Sequence, residues 1–238
     1  MNHPRRVLVV ADSLAFHGPE RPELLSEARL WPNVMARELG VAVDWTAGLG
    51  WTARDAWWAL TKDPVVYSLL IPRADAVVLA VGGMDHLPAM LPTYLRDGLS
   101  YLRPGGIRRR VKRIYHSAHP YGVRLLGGRL RVLPQAATDA YLTRCVEALR
   151  LVRPGVPVLG IVPPPYGLGY YGDVAVTHRP AVAAHRAWGA RMGVPLIDLD
   201  SIITPYADAG QLNPDGMHWS WPAHAEVGRT VAAMLRDC

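Results

Sequence analysis

Val7-Leu8-Val9-Val10-Ala11-Asp12-Ser13-Leu14 sets the frame for the whole chain. Four apolar, mostly β-branched residues run without alternation and stop at an acid and a hydroxyl. That is the pattern of a short strand buried on both faces. The run is too short for the core of a signal peptide, and Asp12 follows it at once. Comparable runs recur at residues 41–45, 76–81, 156–162 and 194–199. Helical stretches fall between them. Residues 26–39 end at Gly40, a natural left-handed stop. Residues 52–61 open with Thr52 three before Asp55, an acidic variant of the capping box. Residues 137–151, 179–192 and 223–236 complete the set. Strands alternating with helices predict a three-layer α/β/α fold around a central parallel sheet, flavodoxin-like in outline.

At 238 residues the chain suits one domain, 1–238, with a basic insertion or lid at 103–134. Half of the residues are apolar, enough for a sizeable core. Two cysteines exclude a disulfide scaffold and a four-thiolate zinc site. No apolar run approaches the roughly 18 residues of a membrane span. A cytoplasmic protein is the expectation. The formal charge of +6 is unevenly spread. From Arg96 to Arg131 ten basic residues face only Asp97, a net of +9, which leaves −3 for the remainder.

A serine just past the carboxyl end of the first strand lies where open α/β sheets present ligand-binding groups. Alone it is no more than a helix cap. Near the other terminus stands Asn213-Pro214-Asp215-Gly216-Met217-His218-Trp219. An acid three residues before a histidine, in a glycine- and proline-containing loop, allows Asp215 to fold back on one imidazole nitrogen. The other nitrogen is then free to take the proton of Ser13, which a hydroxyl needs in order to attack near neutral pH. Gly48-Leu49-Gly50-Trp51-Thr52 follows the second strand and enters a helix, so its N–H groups suit an oxyanion. Val81-Gly82-Gly83-Met84-Asp85 follows the third strand in the same topological position.

These blocks, in this order, resemble the SGNH (GDSL-type) hydrolase superfamily. Ala11-Asp12-Ser13-Leu14 is similar to its G-D-S-L block, Gly50 to the glycine of block two, Gly82-Gly83-Met84-Asp85 to G-x-N-D, and Asp215-Gly216-Met217-His218 to D-x-x-H. The resemblance implies Ser13 as nucleophile, His218 as base and Asp215 as its orienting group, with the N–H groups of Ser13 and Gly50 in the oxyanion hole. It departs at Met84, beside Gly83, where the family's asparagine would donate a further hydrogen bond. Losing such a donor costs on the order of 10²–10³ in rate, and a reactive thioester asks less of the hole than a carboxylic ester. Gly50-Trp51-Thr52-Ala53-Arg54-Asp55-Ala56-Trp57-Trp58 and the methionine also look like the actinobacterial diglucosylglycerate octanoyltransferase subgroup. What that likeness implies is transfer of an octanoyl-like group from an acyl thioester, acyl-coenzyme A as co-substrate, to a hydroxyl of a sugar or glucosylglycerate-type acceptor. A plain esterase with water as acceptor, and a binding protein of the same fold weakened by Met84, are the alternatives. No cofactor or metal is expected, and the oligomeric state is open.

Further contacts are expected at lower rank: Asp12, Trp51, Arg54, Asp85, Arg108, Arg109, Arg110, Tyr170 and Tyr171. Gly167-Leu168-Gly169-Tyr170-Tyr171-Gly172 matches a dinucleotide fingerprint in letters only. Three prolines precede it and no helix opens on it. It reads as an aromatic loop able to line a sugar or acyl site. Trp51, Trp57 and Trp58 suit an acyl channel, although core packing suits at least one of the pair 57 and 58. His224 is expected to cap or pack the last helix, and Asp198 and Asp200 to support rather than catalyse. His116 and His119 have no carboxylate nearby for a metal site. The basic segment lacks a nucleic-acid reader motif. It has three further readings: a phosphate or carboxylate clamp for substrate, a peripheral contact with anionic lipid, or a solvated face.

Overall fold

The computed structural model describes residues 6–91, 93–167, 171 and 174–237. Five strands form one parallel sheet: β1 (Arg6–Ala11), β2 (Ala42–Ala47), β3 (Ala76–Ala80), β4 (Val158–Val162) and β5 (Leu196–Asp198), in the order β2-β1-β3-β4-β5. The register pairs Val9 with Trp45 on one side and Val78 on the other, and Ala11 with Ala47 and Ala80. The chain leaves β1 toward β2 and returns across it to β3, so the loops after β1 and β3 diverge. That divergence opens a crevice at the carboxyl ends of the strands.

Alternate residues of β1 feed two cores, which is why the strand is apolar throughout. Val7, Val9 and Ala11 face α1 (Trp31–Leu39) and α8 (Trp221–Arg236), meeting Trp31, Met35, Val227 and Val231. Leu8 and Val10 face α2 (Ala53–Lys62) and α5 (Gln135–Val152), meeting Ala56, Leu60, Leu142 and Val146. Burying each such side chain fully contributes roughly 1.5–3 kcal/mol. The remaining α-helices among the described residues are α3 (Thr93–Gly98), α4 (Gly105–Leu125), α6 (Ala175–Met192) and α7 (Leu199–Asp208).

The three-layer α/β/α fold is as the sequence predicts, with local differences. Helix α1 starts at Trp31 rather than at residue 26, because Pro32 in the first turn fixes the start. Gly40 closes it at φ +67, as expected. The capping box of Thr52 and Asp55 is fully formed. Helix α7 has no counterpart in the sequence reading; the side chain of Asp198 caps it by accepting from the Ser201 N–H. Most of the basic segment is α4, a single helix that runs through Pro120. The chain then returns beside the β3 loop, where the Val132 and Leu133 N–H groups donate to the carbonyls of Leu87 and Asp85. Among the described residues, no helix is long and apolar enough to cross a membrane.

Candidate active site

Ser13 begins a short 3₁₀ turn directly after β1. Asp12 caps that turn by accepting from the Leu14 N–H at 2.9 Å. Strand β1 is packed on both faces, and the turn that carries the hydroxyl follows it directly. The Asp-His pair comes from the other end of the chain. Residues 212 and 219 bridge as a short antiparallel pair, and the Asn213 N–H donates to the His218 carbonyl at 2.9 Å. Inside this loop Asp215 Oδ1 accepts from the N–H groups of Met217 (2.8 Å) and His218 (3.1 Å). Its Oδ2 lies 2.6 Å from His218 Nδ1, and His218 Nε2 lies 3.1 Å from Ser13 Oγ. Two residues 205 apart in sequence are thus joined by one hydrogen bond.

The electrostatics suit a base. Burial lowers the His218 pKa, opposed by the Asp215 hydrogen bond and reinforced by the charge of His17. The imidazole is therefore neutral near pH 7 and able to accept a proton. Burial works against the Asp215 charge, but hydrogen bonds from the His218 ring and from the Met217 and His218 N–H groups outweigh it and hold the carboxyl below its usual range. With Nδ1–H donating to a carboxylate, Nε2 is the nitrogen left for Ser13.

The loop after β2 is fastened to the end of β1 by the Gly48 N–H donating to the Ala11 carbonyl at 3.3 Å. Gly50 turns that loop at φ +65, a left-handed conformation that favours glycine. Met84 is buried in the apolar core, so its side chain contributes packing where the family's asparagine would donate. Beside it, the buried hydroxyl of Tyr166 lies over Gly83, with no hydrogen-bond partner among the described residues.

An open groove of about 700 Å³ starts at Phe16 and runs between β2 and α2, lined by Trp45, Trp51, Asp55 and Trp58. Arg54 stacks over the Trp58 ring at 4.6 Å. Trp51 and Trp58 therefore line this groove, with Arg54 held against Trp58. Trp57 turns away and packs against Tyr141 of α5 at 5.6 Å, which separates the paired tryptophans into one groove residue and one packing residue.

The remaining expected contacts lie in different surroundings. Asp12 and Asp85, expected among substrate contacts, are each 1% exposed. Asp12 is committed to its cap. Asp85 accepts from the Ala53 N–H at 3.1 and 3.2 Å and from Thr138 Oγ1 at 3.0 Å, which ties the start of α2 to α5. Burial pushes both carboxyls up to about 7. Arg109 and Arg110 are exposed on α4, with Arg108 half-buried. Tyr171 is half-buried against His119 of α4, ring centroids 5.5 Å apart. Tyr170 lies outside the described residues. One residue of the site went unread in the sequence, His17, stacked on His218; His224, read as a packing residue of the last helix, also reaches it, its Nδ1 accepting from the Trp31 N–H (3.3 Å) and its Nε2 donating to the His17 carbonyl (3.1 Å). His17 lies four residues after Ser13, within the same turn, and that proximity was its signal.

A doubly wound sheet with a serine just past the end of β1 and an Asp-x-x-His loop before the last helix is the class of fold and site that the sequence likened to the SGNH hydrolases. In fold the chain is similar to the crystal structure of the lipase/acylhydrolase from Enterococcus faecalis, with a TM-score of 0.65 at 17% identity over 98% of this chain and 96% of that one. No protein-family model matches the chain. Over 231 residues it is 37% identical to the diglucosylglycerate octanoyltransferases of Mycolicibacterium hassiacum and Mycobacterium tuberculosis, covering 97% of this chain and 95% and 92% of theirs. The chain belongs to the diglucosylglycerate octanoyltransferase family.

Proposed function

We propose that the protein transfers a medium-chain acyl group, octanoyl in the first instance, from acyl-coenzyme A to a hydroxyl of a glucosylglycerate-type acceptor. The observation that carries this reading is the unbroken chain from Ser13 Oγ through the His218 ring to Asp215, in a member of an octanoyltransferase family. Ser13 Oγ attacks the thioester carbonyl while His218 Nε2 takes its proton. The N–H groups of Ser13 and Gly50 stabilise the oxyanion. The C–S bond breaks, and the departing thiolate receives the proton from His218. An acceptor hydroxyl then attacks the acyl-Ser13 ester, again giving its proton to His218, and the product ester leaves with Ser13 restored. Asp215 stabilises the imidazolium in both halves.

The groove of Phe16, Trp45, Trp51 and Trp58 is the place for the acyl chain or for an apolar sugar face, since indole rings pack on either. Met84 fits a thioester donor, whose good leaving group asks less of the oxyanion hole. Acyl-coenzyme A as donor fits the cytoplasmic location expected from the sequence. Incubation with octanoyl-coenzyme A, followed by intact-mass measurement, tests the reading. An octanoyl adduct should form on the wild-type chain and be absent in Ser13→Ala. Adding a glucosylglycerate should then discharge it to an ester product faster than water alone. No adduct and no thiol release with any acyl-coenzyme A would overturn the proposal.

A further inference from the structure

Helix α4 carries an apolar stripe that the fold leaves uncovered. Ile107, Ile114, Tyr121 and Leu125 are spaced by seven, seven and four residues, which returns all four to within about 40° of one another around the helix. They are 52, 58, 72 and 88% exposed. Tyr115, His119 and Val123 occupy the buried face. On the far side of the stripe, Arg110, Arg124, Arg113 and Arg109 follow in angular order, all exposed. No acidic residue occurs in α4. An ordinary solvated basic face does not expose four large apolar side chains in register. An apolar stripe bordered along one side by a row of arginines is the pattern of a helix lying in a membrane interface, with its apolar face in the acyl boundary and its cations among the headgroups.

We propose that α4 docks on an anionic phospholipid surface through Ile107, Ile114, Tyr121 and Leu125, with Arg109, Arg110, Arg113 and Arg124 paired to lipid phosphates. The charge favours lipid over a second copy of this chain. A two-fold contact along the stripe would offer the arginines of either helix no acid to pair with. The placement also gives docking a use. The buried face of α4 packs His119 against Tyr171, and the return from the helix pairs Arg131 with Pro88 in the loop after β3. The stripe thus lies at the end of the sheet that carries Ser13. Docking there would bring the site next to a surface where amphiphilic acyl compounds concentrate. Docking of α4 does not depend on which acceptor the enzyme uses.

Flotation of the full chain with vesicles tests it. The protein should float with vesicles of equal parts phosphatidylcholine and phosphatidylglycerol, stay behind with phosphatidylcholine alone, and be released by added salt. Each basic residue near an anionic surface is worth roughly fivefold in partitioning. Arg113→Glu with Arg124→Glu should therefore weaken binding by at least about 25-fold. Ile114→Glu with Tyr121→Glu, and separately Leu125→Glu, should abolish it. All variants should keep the wild-type circular dichroism and the wild-type rate on a small soluble thioester. Wild-type protein that ignores the mixed vesicles, or glutamate variants that float like wild type, would overturn the proposal. So would a dimer dissociated by Ile114→Glu in a protein that ignores vesicles, which would assign the stripe to a second copy.

Discussion

His17 lies flat on His218, with ring centroids 3.5 Å apart and planes inclined by 14°. The base is thus sandwiched in an order set by its neighbours. Asp215 fixes its Nδ1 side, Ser13 receives its Nε2 side, and His17 covers one face. His17 is itself anchored, since its N–H donates to the Ser13 carbonyl and its carbonyl accepts from His224. Any positive charge on His17 disfavours the imidazolium of His218, which is one cause of the lowered pKa of the base, after burial.

The acid limb of kcat/KM should consequently lie below the ordinary histidine value of 6.5. His17→Phe keeps a flat ring over His218 and removes the charge. The limb should move to higher pH in this variant, while kcat well above the limb stays within about threefold of wild type. His17→Ala removes the stacking surface as well and should lower kcat at every pH. Rates on a soluble acyl thioester from pH 4.5 to 9 separate these outcomes, and an unmoved limb in His17→Phe would deny the coupling.

The Asp-His loop depends on a contact that only glycine allows. Gly216 has φ +69, and a Cβ there would collide with the Gly167 carbonyl oxygen. The two residues also exchange a bond, with the Gly167 N–H donating to the Gly216 carbonyl at 2.8 Å. Gly216→Ala should displace one loop from the other and shift His218 relative to Ser13. A misplacement near 1 Å costs on the order of 10²-fold in kcat. The expected loss is in kcat rather than KM, with stability reduced by about 1–3 kcal/mol. Steady-state kinetics and a denaturant titration measure the two effects.

Much of this was legible in the sequence because the signals were local. The uninterrupted run from Val7 to Val10 requires burial on both faces, so β1 and a parallel sheet follow from it. Ser13 and the Asp215–His218 spacing are readable because their geometry is set within a single turn each. The rest needed three dimensions. The stacking of His17 depends on a loop about 200 residues away. Asp85 sits in a motif with reactive neighbours, yet its environment is made by α2 and α5, which no short window contains. The basic segment showed its charge but not the apolar stripe, because the stripe emerges only when residues 105–125 form a single helix through Pro120.

His224 ties the start of α1 to the loop that holds His17. Burial is the main cause that lowers its pKa from 6.5 to about 4. Above pH 6.5 the folded and unfolded forms are both neutral at this group. As pH falls, the unfolded chain takes up the proton first, so stability declines through this window and the loss is complete below pH 4. The shift corresponds to about 3 kcal/mol. His224→Gln can keep both hydrogen bonds and cannot charge. Its Tm should therefore fall less than that of the wild type between pH 6.5 and 4, and equal slopes would show that His224 is not the group that titrates.

Asp85 should behave in the opposite sense. Its carboxyl is raised to about 7, chiefly by burial and against the hydrogen bonds from Ala53 and Thr138. Near pH 3.8 it is protonated in the fold while the unfolded chain is beginning to ionise. Stability attributable to this group therefore falls as pH rises from about 4 to 7, and levels off above the folded pKa. Asp85→Asn loses part of the clamp on α2 and α5 but does not titrate. It should be less stable than wild type at pH 5, by about 1–3 kcal/mol for the weakened buried hydrogen bonds, and the gap should narrow at pH 8. Because Asp85 holds helices rather than substrate, KM for the acyl donor should remain at the wild-type value in this variant. A rise in KM with unchanged stability would return Asp85 to the substrate contacts. Thermal melts at the two pH values, paired with donor titrations, decide between the roles.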